Sequence, residues 1–456
     1  MYAKRICGWS RGCVSSPSGH KNHELISLLF NEIRNYIFFL LKIKKMVQQA
    51  SKKGAGIHKR GLSAWKEQTG MAIEKPKEGE VIKESELSVM SSANKPQKFI
   101  LMPKAFQEVT MLPGIPMNTC VSVVGHSNVG KTTLINHALV GAQKQGIIPV
   151  IIDTENSFSF QYAIAMGFEA KPIYANVEVE YGVDEETGEI LKQVERKIID
   201  WEGDFIYYNS NKLANRFGDI DYATGKKLSK KRKEAVVEDV AMAINELLDA
   251  QDDGEIEQGF LFCWDSVGSI GCFREYNSGH QANPMWTAGA ISQSFGPLVN
   301  NRIPSSKNIS AKYDNTFLYI NKVWLNNTIS PSGPQMETKG GKSLKYATRL
   351  EILMGGQLTA GIKRLTAVSK GLNYGYATQT KIKILKNHLD APHNVVYEGS
   401  LIATDTGFIG LDDLDAFKKS HISQILKKLN EQTNGKFNIC ENEISFEEVE
   451  EEIIEK

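Results

Sequence analysis

Cysteine is scarce and scattered. The six, Cys7, Cys13, Cys120, Cys263, Cys272 and Cys440, show no metal-ligand spacing and suggest no disulfide framework, which points to a reducing, cytoplasmic setting. Net charge is nearly absent as well, at +1 over 456 residues, so overall electrostatics identify no polyanionic partner. Long apolar runs are missing. The most apolar N-terminal stretch, Leu25 to Leu41, is broken by Asn31, Glu32, Arg34 and Asn35, and its longest unbroken part, Tyr36 to Leu41, is six residues. Crossing a bilayer takes roughly 20. It also lacks a small-residue cleavage site, so it makes a poor signal peptide and reads as an amphipathic helix. No membrane association is expected.

What is present is ordinary globular composition, with 41% hydrophobic and 23% charged residues, and enough length for two or three domains. The charge is unevenly placed. Residues 1–60 hold twelve Lys and Arg against two acids, whereas Glu441 to Lys456 holds eight Glu and one Lys. A basic arm and an acidic tail suit a protein that handles a polyanion, although solvated ends are the commoner cause of such runs. Residues 1–60 are read as a basic extension, with Met46 an alternative start, and 61–110 as a linker leading into a core. That core is expected over 111–405, and 406–456 as a helical segment with an acidic tail.

The most informative stretch is Val121 to Leu134, VSVVGHSNVGKTTL. A β-branched run of strand length leads into Gly125, His126, Ser127, Asn128, Val129, Gly130, Lys131, Thr132 and Thr133. These fit G-x-x-x-x-G-K-[ST], and helix-forming residues follow. Glycines let the backbone approach an anion or take a positive φ, and loop N–H groups at a helix N-terminus supply positive charge. Lys131 can reach β- and γ-phosphates, and the Thr132 hydroxyl can ligate Mg²⁺. A bound nucleoside triphosphate is expected.

Further along, GIIPVIID (146–153) is a second apolar run ending in Asp153, Thr154 and Glu155. Strand, helix and strand at this pitch form a βαβ unit, hence a parallel sheet covered on both faces. Alternation from Val177 to Val194 marks an exposed hairpin, and residues 170–230 are read as an insertion that includes Ile206 to Tyr208 and a basic run, Lys226 to Lys233. That run is expected to be a solvated face. FLFCW (260–264) is a buried strand ending in Asp265, where a P-loop site needs a second Mg²⁺ contact. Leu318 to Ile320, Leu350 to Met354 and Ile382 to Leu385 add strands, and Leu414 to Leu429 a helix. Trp324 to Lys342 is a 19-residue Gly/Pro-rich loop; a loop this long in a compact core is usually functional or disordered.

Two readings of the P-loop compete. GHSNVGKTTLIN looks like the first motif of small GTPases, with Asp265-Ser266-Val267-Gly268 as D-x-x-G and Asn321-Lys322-Val323 as the start of N-K-x-D. The fourth residue there is Trp324, which cannot accept the guanine hydrogen bonds an Asp would. The interval from Lys131 to Asp265 is also long for that class. The stronger resemblance is to the RecA-type recombinase ATPases, over roughly residues 110–410. It is carried in order by LPGIPMN, IIDTENSFSFQYAIAMGF, FLFCWDSVGSI, YINKVW with METKGGKSLKYATRLEI, and KIKILKNHLDAP. The long insertion looks more like the phage type, similar to the UvsX group.

That resemblance implies an α/β fold: a RecA-like P-loop NTPase core with a mainly parallel twisted sheet covered by helices, the inserted β-hairpin region and a small helical C-terminal segment. It implies ATP and Mg²⁺ as cofactors, Glu155 as the carboxylate acting on the attacking water, and Tyr162 packed on adenine. Lys386, and His388 where the family has lysine, would reach a neighbouring protomer's nucleotide. Lys322, Trp324, Ile329, Gly340, Gly341 and Lys342 would lie in or beside a DNA-binding loop, with Ser292 as a phosphate contact. Lys322 stands in place of a glutamine and Trp324 in place of an arginine. The implied activity is DNA-dependent ATP hydrolysis by a filament of this chain on single-stranded DNA, pairing it with duplex DNA. A single-strand-binding or mediator protein is a further partner. A hexameric helicase or branch-migration ATPase is the alternative, and a GTPase-like switch the third.

Overall fold

The computed structural model describes residues 94–183, 190–281, 283–326, 335–338, 341–356, 361–389, 398–434, 436 and 438–451. The basic arm, most of the expected linker, and Ile329 and Gly340 lie outside the described residues. A short antiparallel pair, β1 (Phe99–Leu101) and β2 (Gly114–Pro116), flanks helix α1 (Lys104–Thr110) and leads into β3 (Cys120–Gly125). After β3 come α2 (Lys131–Lys144), β4 (Ile148–Asp153), α3 (Phe160–Ala165), the ribbon β5 (Lys171–Val183) and β6 (Ile190–Glu202), β7 (Ile206–Asn209), α4 (Ser210–Phe217) and α5 (Val237–Asp252). Then follow β8 (Phe260–Asp265), α6 (Phe273–Asn277), α7 (Pro284–Pro297), β9 (Thr316–Asn326), β10 (Gln335–Thr338), α8 (Gly341–Ala347) and β11 (Thr348–Met354). The remainder is β12 (Ile362–Ser369), β13 (Leu372–Asn387), β14 (Glu398–Thr404), β15 (Gly407–Ile409), α9 (Leu414–Gln432) and β16 (Ser445–Glu451).

Six strands run parallel in the order β11, β3, β9, β8, β4, β7. Alternation along each strand divides the core in two. Val121, Val123, Leu261, Cys263, Leu318 and Ile320 face α2, whose Leu134, Ile135, Ala138 and Leu139 are buried against them. Cys120, Phe260, Phe262, Trp264, Phe317 and Tyr319 face α5 and α7 through Val240, Ile244, Ile291 and Phe295. Two covered faces are what a parallel sheet requires, since its crossover helices must lie on them. The sheet continues from β11 through antiparallel β13, β14 and β15, with β12 on β13 and β16 on β12.

Four expectations change. Residues 206–209, assigned to the insertion, pair in parallel with β4 as the core sheet's edge strand; the exposed ribbon is confined to β5 and β6. The loop expected at 324–342 is shorter, because β9 continues through Asn326, β10 pairs back on it from Gln335, and α8 starts at Gly341. The acidic tail contributes a strand: its Ser445–Glu451 segment pairs along β12. The basic run is not wholly solvated. The Arg232 and Asp239 side chains are fully buried, joined by two hydrogen bonds of 2.7 and 3.0 Å. Asp239 also accepts from the Val236 N–H at 2.9 Å and the Tyr222 hydroxyl at 2.7 Å. Removing one member of a buried pair strands the other charge, so Asp239→Ala is expected to lower unfolding free energy by about 3–5 kcal/mol, read as a shift in the urea midpoint.

A second stability prediction concerns His137 on α2. Its Nε2 accepts the Phe408 N–H at 2.8 Å, which pins β15 to the helix. Burial, aided by Lys144, pushes the imidazole down to about 4 from 6.5. The folded chain therefore resists protonation of this ring. Its contribution is complete above pH 6.5 and is lost as pH falls toward 4, by up to about 3 kcal/mol. Denaturant midpoints across that window should show the loss, and His137→Gln should remove that component of the slope.

Candidate nucleotide-binding site

The loop after β3 is shaped by backbone requirements. At Gly125, φ is +155°, and a Cβ there would lie 2.3 Å from the Met354 carbonyl oxygen; at Gly130, φ is +91°. Lys131 opens α2, only 7% exposed, and its ammonium donates to the Gly125 carbonyl at 3.0 Å and to the His126 carbonyl. It is folded back into the loop that a polyanion would fill.

β4 and β8 bring their carboxyl ends to the same place, with Asp153 beside Asp265. The Thr132 hydroxyl donates to Asp265 Oδ2 at 3.4 Å. Burial pushes the Asp265 carboxyl up to about 6; Glu155 and Asp153 reinforce the shift, while Lys131 and Thr132 oppose it. A buried carboxylate next to a hydroxyl oxygen offers the hard oxygen donors that a cation such as Mg²⁺ takes, although no group of three His, Cys, Asp or Glu forms a metal cluster among the described residues.

Glu155 follows directly. Its Oε1 accepts from the Ser266 hydroxyl and lies 3.1 Å from the Lys322 ammonium on β9. The Tyr162 hydroxyl, on α3, is 3.0 Å from the Thr133 hydroxyl and donates to the Thr404 carbonyl at 3.0 Å. Ser127, Asn128, Lys131, Thr132, Glu155 and Lys322 all line one cleft of about 610 Å³, which Tyr162 and Asp265 also border.

Other expected site residues lie elsewhere. Lys386 sits opposite Glu351, midway along β11, whereas Met354, at that strand's end, is the neighbour of Gly125. The Lys386 ammonium donates to the Lys345 and Tyr346 carbonyls at 3.0 and 3.3 Å, and burial pushes its pKa down. His388 lines a separate cavity of about 400 Å³ with Asn300, Lys307, Tyr346 and Arg349. Ser292 is exposed on α7, Lys342 is exposed on α8, Gly341 opens α8 against Ala288, and Trp324 lies on β9 opposite Glu337.

Some site-building residues were not anticipated. Asp153 accepts the Ser157 and Phe158 N–H groups at 3.1 and 2.9 Å and the Tyr207 hydroxyl at 3.1 Å, so it shapes the loop that presents Glu155. The Thr154 hydroxyl oxygen accepts from the Trp264 indole N–H at 2.9 Å and contacts the Ser266 carbonyl at 3.2 Å, tying β4 to β8. Only the acidic cluster 153–155 hinted at this; Tyr207, Trp264 and Ser266 come from distant sequence.

Sheet, helices and glycine loop together define a RecA-like P-loop core. Residues 97–194 match the RecA N-terminal domain family. The chain is 38% identical to Protein RecA of Chloroherpeton thalassium over 60 residues, 13% of this chain and 17% of that protein. It is 38% identical to Protein RecA of Mesoplasma florum over 79 residues, 17% of this chain and 23% of that protein. Similarity to Protein RecA of Treponema pallidum is lower, 21%, but extends over 290 residues, 63% of this chain and 52% of that protein. The chain thus spans between about a sixth and about half the length of these relatives, and the matches support a RecA-type protein. Among the described residues, no helix is long and apolar enough to cross a membrane.

Proposed function

We propose that the chain is an ATP-dependent DNA recombinase that assembles as a filament on single-stranded DNA and promotes homologous pairing and strand exchange. The ribbon β5–β6 favours a phage-type, UvsX-like member. ATP occupies the cleft, with Lys131 and the loop N–H groups on its phosphates and Tyr162 beside the base. Thr132 and Asp265 would hold a magnesium ion, which would supply positive charge to the phosphate oxygens. Glu155 orients and deprotonates the attacking water. Lys322 lies on the strand that runs on through Trp324 toward the expected DNA loop, so nucleotide state and DNA contact share one element.

The observation that carries this reading is the separation of Lys386 and His388 from the P-loop of their own chain. Phosphoryl transfer commonly draws a cation from a neighbouring subunit. Cations turned away from their own P-loop meet a nucleotide when copies stack head to tail, and a stack that does not close is a filament.

Negative-stain microscopy of the protein with single-stranded DNA and a slowly hydrolysed ATP analogue tests the proposal. Extended filaments are expected. Closed rings would favour a hexameric motor, and retention of GTP but not ATP would favour a regulatory switch.

A further inference from the structure

Glu155 stands in the turn Thr154 to Asn156, and Asn156 takes a φ of +53°, a conformation that a residue with a side chain keeps only when its surroundings hold it. The flanking strands supply that hold. On the β8 side the Thr154 N–H donates to the Asp265 carbonyl at 2.8 Å. On the β7 side two hydroxyls enter: Ser210 donates to the Thr154 carbonyl at 3.2 Å, and Tyr207 to Asp153 Oδ2 at 3.1 Å. Asp153 is 1% exposed. Its Oδ1 takes the Ser157 N–H and its Oδ2 the Phe158 N–H, so one carboxylate closes the turn. The terminal torsion of an aspartate is broad, and two backbone donors alone leave the carboxylate able to rock. The Tyr207 hydroxyl is the further contact that stops it.

The Tyr207 ring is itself pinned. Phe160 of α3 meets it nearly edge-on, with centroids 5.1 Å apart, and stacks in turn on Trp201 of β6 at 4.9 Å. The Lys212 ammonium lies 5.3 Å over the Tyr207 ring and is paired with Asp200 of β6 at 2.9 and 3.1 Å. Aromatic packing of this kind fixes the ring without help from its hydroxyl. We propose that Tyr207 is a positioning residue for ATP hydrolysis, setting through Asp153 where the Glu155 carboxylate stands in the cleft. The inference rests on the reading of Glu155 as the group that acts on the attacking water. Tyr207 does not line the cleft, so it adds nothing to nucleotide affinity. A catalytic group displaced by about 1 Å can lose up to about a hundredfold in rate, so a hydroxyl behind the turn governs kcat alone. Edge strand β7 then does more than close the sheet: together with the base of the ribbon it aims the catalytic turn.

Tyr207→Phe in the full chain, assayed with ATP, Mg²⁺ and single-stranded DNA, removes the hydroxyl and keeps the packed ring. A fall in kcat of about ten- to a hundredfold is expected, with KM and the affinity for a non-hydrolysable ATP analogue within twofold of the parent. Tyr208→Phe is the control. Its ring packs on the other face of the sheet, and the change should leave kcat and KM as they are. In the Glu155→Gln background, single-turnover hydrolysis should fall no further when Tyr207→Phe is added, because there is no base left to aim. An unchanged kcat in Tyr207→Phe would overturn the proposal. So would a loss carried by KM, which would mean a deformed cleft, or a further fall of the same size in the Glu155→Gln background. A parent chain that hydrolyses no ATP would overturn the proposed function and this inference with it, whereas a working parent with an indifferent Tyr207→Phe overturns the inference alone.

Discussion

Lys131→Ala is expected to weaken triphosphate binding by between about thirtyfold and a few thousandfold, the loss of about 2–5 kcal/mol that follows truncation of a desolvated charge contact. Geometry supports the upper part of that range. The ammonium is already inside the loop, held by the Gly125 and His126 carbonyls and almost fully covered. Little side-chain freedom remains to be lost on binding, so most of its attraction for phosphate appears as affinity. The substitution also leaves two carbonyls without that donor, at about 1–3 kcal/mol of fold stability, so binding must be compared at a temperature where both chains are folded. Calorimetric titration with an ATP analogue checks the first number and urea unfolding the second. Affinity within threefold of the parent would remove Lys131 from the phosphate site.

Local motifs were legible where chemistry and chain geometry coincide within a dozen residues. Val121 to Leu134 contains its own strand, loop and helix start, and the structure builds β3, the P-loop and α2 there. Asp153 and Asp265 end apolar runs, and both runs are strands whose register sets these residues side by side. What stayed hidden depends on pairing across the sequence. Ile206 to Tyr208 looks like part of an exposed insertion until β4 is seen to offer it an edge. Ser445–Glu451 is too acidic to suggest a strand, and is held by the backbone ladder of β12 and by contacts such as Lys363 with Glu448 at 3.4 Å. Strand preference reflects neighbours more than residue type. Arg232 sits in a run of lysines and is buried because Asp239, seven residues on, meets it bidentately. The contact between Lys322 and Glu155 is of the same kind: β9 and β4 are separated by one strand in the sheet and by most of the core in sequence.

Glu155→Gln is expected to reduce hydrolysis about 10²- to 10⁴-fold, the usual contribution of a positioned general base, while triphosphate-dependent DNA binding persists. Glutamine preserves the side chain's shape, and its carbonyl oxygen can still accept from the Ser266 hydroxyl, so the loop shaped by Asp153 has no reason to move. What is lost is the capacity to take a proton. A chain that binds ATP and cannot turn it over should remain in the state that holds DNA, since release depends on removing the γ-phosphate that favours that state. Phosphate production and the dissociation rate of labelled single-stranded DNA are therefore measured together. The first should fall to near background and the second should slow in parallel. If hydrolysis stops and DNA still exchanges at the parental rate, Glu155 remains the base but hydrolysis does not drive release. If hydrolysis continues within tenfold of the parent, another group activates the water. Asp265 is then the next carboxylate to change, since it is buried in the same cleft and lies within reach of Thr132.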